Sequence, residues 1–370
     1  MPRYPENSHI HRGKNCKGNT ALSWPRLLLK LASVSVLLLL LLNFRLVGYG
    51  IKQGYGQLNI LLKAQPVETY LQDPAWPDSL KQQIKLVQQV KQYAFDSLGI
   101  DYSDSYSKLY DQQGKPVLWV VTACRPFALE NKEWHFPLLG SVSYKGFFDF
   151  EAASEEEAEL AAEGWDTRLR EVNGWSTLGI LNDPILSNML YRSPGSLAEV
   201  ILHELTHGTI FVKSNLQLNE SLASFVGEEG AVMFLKSHFG EHSTEYIEYV
   251  RSLSDYEIYS SYVLEFTVEL QEVYASFPLQ MDYQEKVARK NLAIQKFKQG
   301  LMKLPVQSER YKAFFKGLEP NNAYFMAYVR YRGTTNQFRQ EFAAYNGDLK
   351  SYIADLKERH PSIFNLSQIF

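Results

Sequence analysis

The chain has 370 residues, room for one large core or two modest ones, and we read it as a single catalytic unit behind a leader. Its 38 basic and 41 acidic residues leave a net charge of -3 with no basic block beyond the N-terminus, so no nucleic-acid partner is expected. Only Cys16 and Cys124 occur, so the fold does not rest on disulfides and a metal site would have to use His and carboxylate ligands.

Residues 1–26 form a polar, cytoplasmic tail with Arg3, Arg12, Lys14, Lys17 and Arg26. Residues 27–49 read as a transmembrane anchor or a signal sequence, with Leu31–Leu42 as the leucine-rich core. That core is short of the roughly 20 residues a spanning helix needs, but Lys30 and Arg45 are placed to snorkel to the two interfaces and extend it. Val47-Gly48-Tyr49-Gly50 is a poor cleavage sequence, which favours an uncleaved anchor. The basic excess ahead of the segment keeps the N-terminus inside, so a single-pass protein of the bacterial inner membrane with a periplasmic catalytic domain is expected.

From Gly54 to Tyr110 the apolar spacing is helical, with Leu58, Leu61 and Leu62 followed by Leu80, Ile84, Val87, Val90 and Tyr93, and predicts two packing helices. The period then changes, and Val117–Val121 and Ser141–Phe148 read as strands. Residues 150–164 predict a helix, with Ser154 and Glu157 in capping-box spacing, Glu155–Glu157 as a solvated face and Gly164 at the stop. Arg168–Val172 and Ser176–Ile180 read as further strands, and the chain beyond Ser196 as helices joined by polar connections. The fold class is therefore α+β: a small sheet followed by a mostly helical domain over residues 50–370, with an N-terminal membrane-anchoring helix.

The segment Ser196–His207 follows a Pro194-Gly195 turn, and Ser196 and Glu199 stand in capping-box spacing. One helical turn separates His203 from His207, so both imidazoles reach one metal ion, and Glu204 lies beside them in an HExxH arrangement. The surrounding helix is strongly apolar, and burying two histidines and a glutamate in it is costly unless something pairs with them. A hydrolytic zinc site needs a third protein ligand and one open position. Glu220 is the candidate, because Asn219-Glu220-Ser221-Leu222-Ala223 opens a second helix after a 12-residue return. Ala223, Gly227, Gly230 and Ala231 share its face and allow a close approach. His135, His238 and His242 have no helical register with the pair and rank below Glu220.

Beyond the motif, the sequence resembles a family of bacterial putative aminopeptidases, zinc-dependent by motif and gluzincin-like, with HExxH followed by NExxA. The resemblance is carried by Phe136–Asp149, Trp175–Gly179, Asn182–Ser187, His203–His207 and Asn219–Ala223, with Asn321–Tyr324 and Tyr331 near the C-terminus. It implies a zincin-like catalytic domain and one Zn2+ ion held by His203, His207 and Glu220, with Glu204 as general base. In relatives of the thermolysin type an aspartate follows the third ligand by one turn and orients a zinc-bound histidine. That position here is Ser224, which leaves Glu228 or Glu229 as the substitute.

The expected reaction is peptide-bond hydrolysis by metal-activated water, with Glu204 taking the proton and passing it to the leaving amine. Tyr324, Tyr328 and Tyr331 are available as oxyanion donors, and Ser176–Leu181 as an edge strand for the peptide substrate. The strand Gly174–Gly179 carries no glutamate to hold a free α-amine, so exopeptidase specificity comes from the resemblance alone. A membrane-anchored endopeptidase and a non-catalytic zinc-binding scaffold are the alternatives. Neither the oligomeric state nor the substrate is legible.

Overall fold

Leu80, Ile84, Val87 and Val90 produce the helix their spacing predicts, and each of the last three is fully buried. They belong to a computed structural model that describes residues 43–136, 140–172, 181–213, 215–332 and 335–360, together with residues 24, 28–31, 33 and 34. The chain divides into two compact units, Met1–Gly54 and Tyr55–Phe370. Among the described residues no helix is long and apolar enough to cross a membrane, and most of the leucine-rich core expected as an anchor lies outside them.

Three helices come first: α1 (Phe44–Lys63), the short α2 (Val67–Gln72) and α3 (Asp78–Ser97). The strands are short and fall into three small sheets. In the first, β1 (Gln65–Pro66) runs antiparallel to β2 (Lys108–Tyr110), which pairs in parallel with β8 (Ile185–Leu186). In the second, β3 (Leu118–Cys124) is flanked antiparallel by β6 (Lys145–Phe147) and β7 (Asp166–Val172), with Val121 opposite Leu169. The third is a hairpin of β4 (Trp134–Phe136) and β5 (Gly140–Val142).

The single strand expected over Ser141–Phe148 is thus two strands in different sheets. Arg330 meets the chain at the break: its Nε donates to Ser143 Oγ at 3.0 Å and its Nη2 to Ser143 O at 3.1 Å, which engages that carbonyl in place of a neighbouring strand. The strand expected over Ser176–Ile180 lies outside the described residues. Helix α4 (Phe150–Ala162) forms as expected, but Asp149 caps it by accepting from Ala152 N at 2.9 Å, so Ser154 and Glu157 lie within the helix.

Among the described residues every regular element after residue 193 is a helix: α5 (Pro194–Thr209), α6 (Leu216–His238), α7 (Thr244–Ala275), α8 (Tyr283–Leu301), α9 (Glu309–Gly317), α10 (Asn322–Arg332), α11 (Thr335–Phe342) and α12 (Leu349–Arg359). One core gathers α3, α5, α6 and α12 around Val87, Leu202, Phe225 and Tyr352. A second, aromatic core joins α7, α8 and α10 through Tyr259, Phe266, Phe297 and Phe325.

Asp166 ties the second sheet to the aromatic core. Its Oδ2 accepts from Lys290 Nζ at 2.5 Å and from Asn322 N at 2.8 Å, and Lys290 also donates to Pro126 O at 3.0 Å. Lys290 is 8 % exposed, so Asp166→Ala leaves a buried ammonium without its counter-charge. We expect a loss of about 3–5 kcal/mol, read as a lower urea midpoint at unchanged slope. Asn321 and Asn322, which the resemblance singles out, serve this junction: Asn321 Nδ2 donates to Thr167 O and Asn322 Nδ2 to Arg125 O, both at 2.7 Å.

Candidate metal centre

Helix α5 starts at Pro194, whose missing N–H costs nothing in a first turn. Ser193 caps it through Ser196 N at 3.4 Å, so the Ser196–Glu199 box expected from spacing does not form. Glu199 instead points into the protein and accepts from Tyr249 Oη at 3.1 Å. Helix α6 starts three residues earlier than expected, at Leu216, with Asn215 accepting from Leu218 N at 3.2 Å. Asn219, one turn in, clamps the return between the helices, because its side-chain amide both accepts from Val212 N and donates to Val212 O at 2.8 Å. That clamp fixes where the next residue, Glu220, is presented.

The two helices approach closely at the small-residue face. A Cβ on Gly227 would stand 2.9 Å from Glu199 O and 3.2 Å from His203 Cβ, and one on Gly230 would stand 2.9 Å from Leu202 Cδ1. Gly227→Ala must therefore push apart the backbone that carries His203. We expect a loss of about 1–3 kcal/mol, with a fall in bound zinc that a purely global destabilisation, matched by a distant core variant, does not produce.

This approach brings three ligand atoms together. His203 Nε2 lies 3.2 Å from His207 Nε2 and 3.5 Å from Glu220 Oε2, and His207 Nε2 lies 3.9 Å from the same oxygen. They are the one group of His, Cys, Asp or Glu side chains among the described residues with converging ligand atoms, all within 4.8 Å of one another. Two imidazole nitrogens and one carboxylate suit zinc and leave a coordination position open, so the residues present fit the ion.

The electrostatics fit it as well. Burial works to lower the His203 pKa, but the hydrogen bond to Glu220 and the charges of Glu204, Glu220 and Glu199 outweigh it and raise it to about 9. Burial, helped by the charge on His203, takes His207 down to about 4. Glu220 is held below the usual carboxylate range: burial opposes this, while the bond to His203 and the charges of His207, His203 and Arg330 impose it. Without metal, a proton on His203 thus supplies the positive charge that a cation would bring.

Among the other residues singled out by sequence, His135 is exposed and shares a 2.6 Å hydrogen bond with Ser141 Oγ, while His238 stacks on Phe234. Glu228 and Glu229 both turn to Arg339, at 2.6 Å and 4.0 Å. The half-buried acid one turn before His203 is Glu199, raised to about 7 by desolvation and by the charge of Glu228. His207 Nδ1 is buried and makes no hydrogen bond among the described residues. Tyr324 and Tyr328 belong to the aromatic core, where their hydroxyls lie 3.3 Å apart and Tyr324 also meets Tyr259. The side chain of Tyr331 and the proposed edge strand, apart from Leu181, lie outside the described residues.

Sequence reasoning missed the surroundings of Glu204. This half-buried residue borders a small cavity with Ser105, Tyr106 and Asp183. Tyr106 is 2 % exposed, and burial together with the charges of Glu204 and Asp183 keeps its phenol protonated far above the usual range. Its φ of 65° is unusual for a bulky side chain, and its N–H donates to Asp183 O at 2.6 Å. Asp183 in turn donates its N–H to Ser105 Oγ at 3.1 Å. No periodicity joins these residues to Glu204, although Asp183 lies in the Asn182–Ser187 segment of the resemblance, because the parallel pairing of β2 with β8 brings them together from distant parts of the chain.

Comparison with known proteins gives a family model described as putative aminopeptidase, which matches residues 48–361. No curated protein and no solved structure matches.

Proposed function

Because the chain belongs to this aminopeptidase family, we propose that it is a zinc-dependent peptidase that hydrolyses peptides from a free N-terminus, with His203, His207 and Glu220 holding one Zn2+ ion. The observation that carries the reading is the convergence of those three ligand atoms beside a cavity that Glu204 borders. Bound zinc would polarise the scissile carbonyl and acidify water. Glu204 takes the proton of the attacking water and delivers it to the leaving amine. Tyr106, held neutral, offers an O–H to the developing oxyanion in place of the tyrosines expected from the C-terminal half. Asp183, 3 % exposed on the same cavity, supplies the negative charge for the substrate's α-amine that Gly174–Gly179 lacks.

The reading includes an inner-membrane anchor in the leader, supported by the leucine run and the basic residues ahead of it, with the peptidase unit in the periplasm. Its test is the fractionation of full-length protein with membranes and the accessibility of residues 55–370 to added protease in spheroplasts.

The activity is tested by elemental analysis of the full-length protein and by its action on paired peptides with free and acetylated N-termini. One zinc per chain with cleavage of only the free-amine peptide supports the aminopeptidase. Equal cleavage of both makes it an endopeptidase. Zinc without turnover supports the scaffold, and absence of zinc from the purified and zinc-supplemented protein defeats the metal reading.

A further inference from the structure

A second cavity, of about 280 Å³, is lined in part by the first turn of α6, the helix that carries Glu220. It is walled by Asn215 and Gln217 at the start of α6, by Asn131 and Ser141 from the strand region, and by Arg330 on α10. Glu220 follows Asn215 on the same helix, and the charge of Arg330 is among those that hold its carboxyl down.

Arg330 is the unusual member. It is 4 % exposed, and its two hydrogen bonds both go to neutral oxygens of Ser143. Its guanidinium sits 5.9 Å from the centre of the Tyr144 ring. Nη1 is buried and has no hydrogen-bond partner, and no carboxylate among the described residues is within ion-pair reach. A guanidinium stays charged at any pH a protein survives, and the charges of Glu220 and Glu133 act on this one only from beyond hydrogen-bond reach, so its buried Nη1 is left without an acceptor. Glu133 also borders the cavity as an exposed carboxyl, raised by partial burial against the opposing charges of Arg330 and His135. The remaining named walls are amides and a hydroxyl, which donate readily to an anion.

We propose that Arg330 and this cavity form a subsite for a carboxylate of the substrate. The inference rests on the peptidase reading for the identity of the ligand and deepens it to a substrate class. With Asp183 and Glu204 on one cavity and Arg330 on the other, short peptides with an amine at one end and a carboxylate toward the other match the charges. The carboxylate belongs either to the C-terminus of a short peptide or to an acidic side chain.

The test uses full-length, zinc-loaded protein and three peptides: Leu-Gly-Ala as the free acid, its C-terminal amide, and Leu-Gly-Glu amide. The free acid should show a kcat/KM about ten- to a hundredfold above the plain amide, the usual worth of a charge-assisted hydrogen bond. Arg330→Gln should bring that ratio close to one, and Arg330→Lys should keep part of it. The ratio within one protein is insensitive to a loss of folded molecules, and the wild-type ratio alone decides if both variants fail to fold. Equal handling of acid and amide by wild type, with Leu-Gly-Glu amide no better, overturns the subsite and leaves the peptidase standing. Recovery by Leu-Gly-Glu amide assigns the subsite to an acidic side chain, and its failure beside a good free acid assigns it to the C-terminus. If no peptide is cleaved, the peptidase reading falls, and calorimetric binding of the same three peptides decides the subsite: carboxylate-selective binding keeps it, and unselective or absent binding overturns it.

Discussion

Glu204→Gln should lower kcat/KM for peptide hydrolysis by about 10²–10⁴-fold while the protein keeps its zinc. The substitution preserves shape and hydrogen-bonding capacity but removes the ability to take up a proton. Glu204 is not among the converging ligand atoms, which come from His203, His207 and Glu220, so the metal should not notice. Its place beside Tyr106 and Asp183 is where a substrate carbonyl and attacking water would be handled. Kinetics on the free-amine peptide and elemental analysis of the same preparation read both halves of the expectation. Full activity in the variant would mean that another base serves, and loss of zinc would make Glu204 a structural support of the site.

The convergence of His203, His207 and Glu220 was legible because helix geometry converts spacing into direction: residues four apart share a face, and glycine and alanine tell where a second helix can approach. Gly227 against His203 and Glu220 across from the pair follow from that rule alone. The start of α5 was misplaced because Ser196–Glu199 satisfies the capping-box spacing as well as a true cap does, while the real cap, Ser193, gains its advantage from the proline that follows it. Ser141–Phe148 was read as one strand because alternation says nothing of which neighbour a strand pairs with, and Arg330, almost two hundred residues away, intervenes at Ser143. Tyr106 and Arg330 escaped for a related reason, and Asp183 lay within the Asn182–Ser187 segment of the resemblance without a role assigned to it. Their importance comes from burial and from neighbours distant in sequence, and no local pattern encodes either.

Zinc affinity should climb about tenfold per pH unit from pH 7 to pH 9, roughly a hundredfold over the window. Zinc must displace whatever proton its ligands carry. His207, lowered to about 4, and Glu220, held low, are already free of theirs at pH 7. His203, raised to about 9, is not. One proton per ion therefore leaves on binding until the pH passes about 9, whereas a histidine of ordinary pKa near 6.5 would give a plateau from pH 7 upward. The sign for stability agrees: a group raised in the folded state contributes stability that is complete below about 6.5 and fades as the pH rises toward 9, so the metal-free fold weakens where the metal binds best. The rise in melting temperature on adding zinc should thus grow from about pH 7 to about pH 9. Competition against a chelator of known pH dependence measures the affinity, and calorimetry in buffers of different ionisation enthalpy counts the proton. Glu220→Gln removes a proposed ligand, the hydrogen bond and one of the three charges that hold the proton on His203, so its residual zinc binding should be weak and should climb less steeply over the same range. A flat profile in the wild type would mean that His203 is neutral before zinc arrives, and that the cluster is organised by something other than this carboxylate.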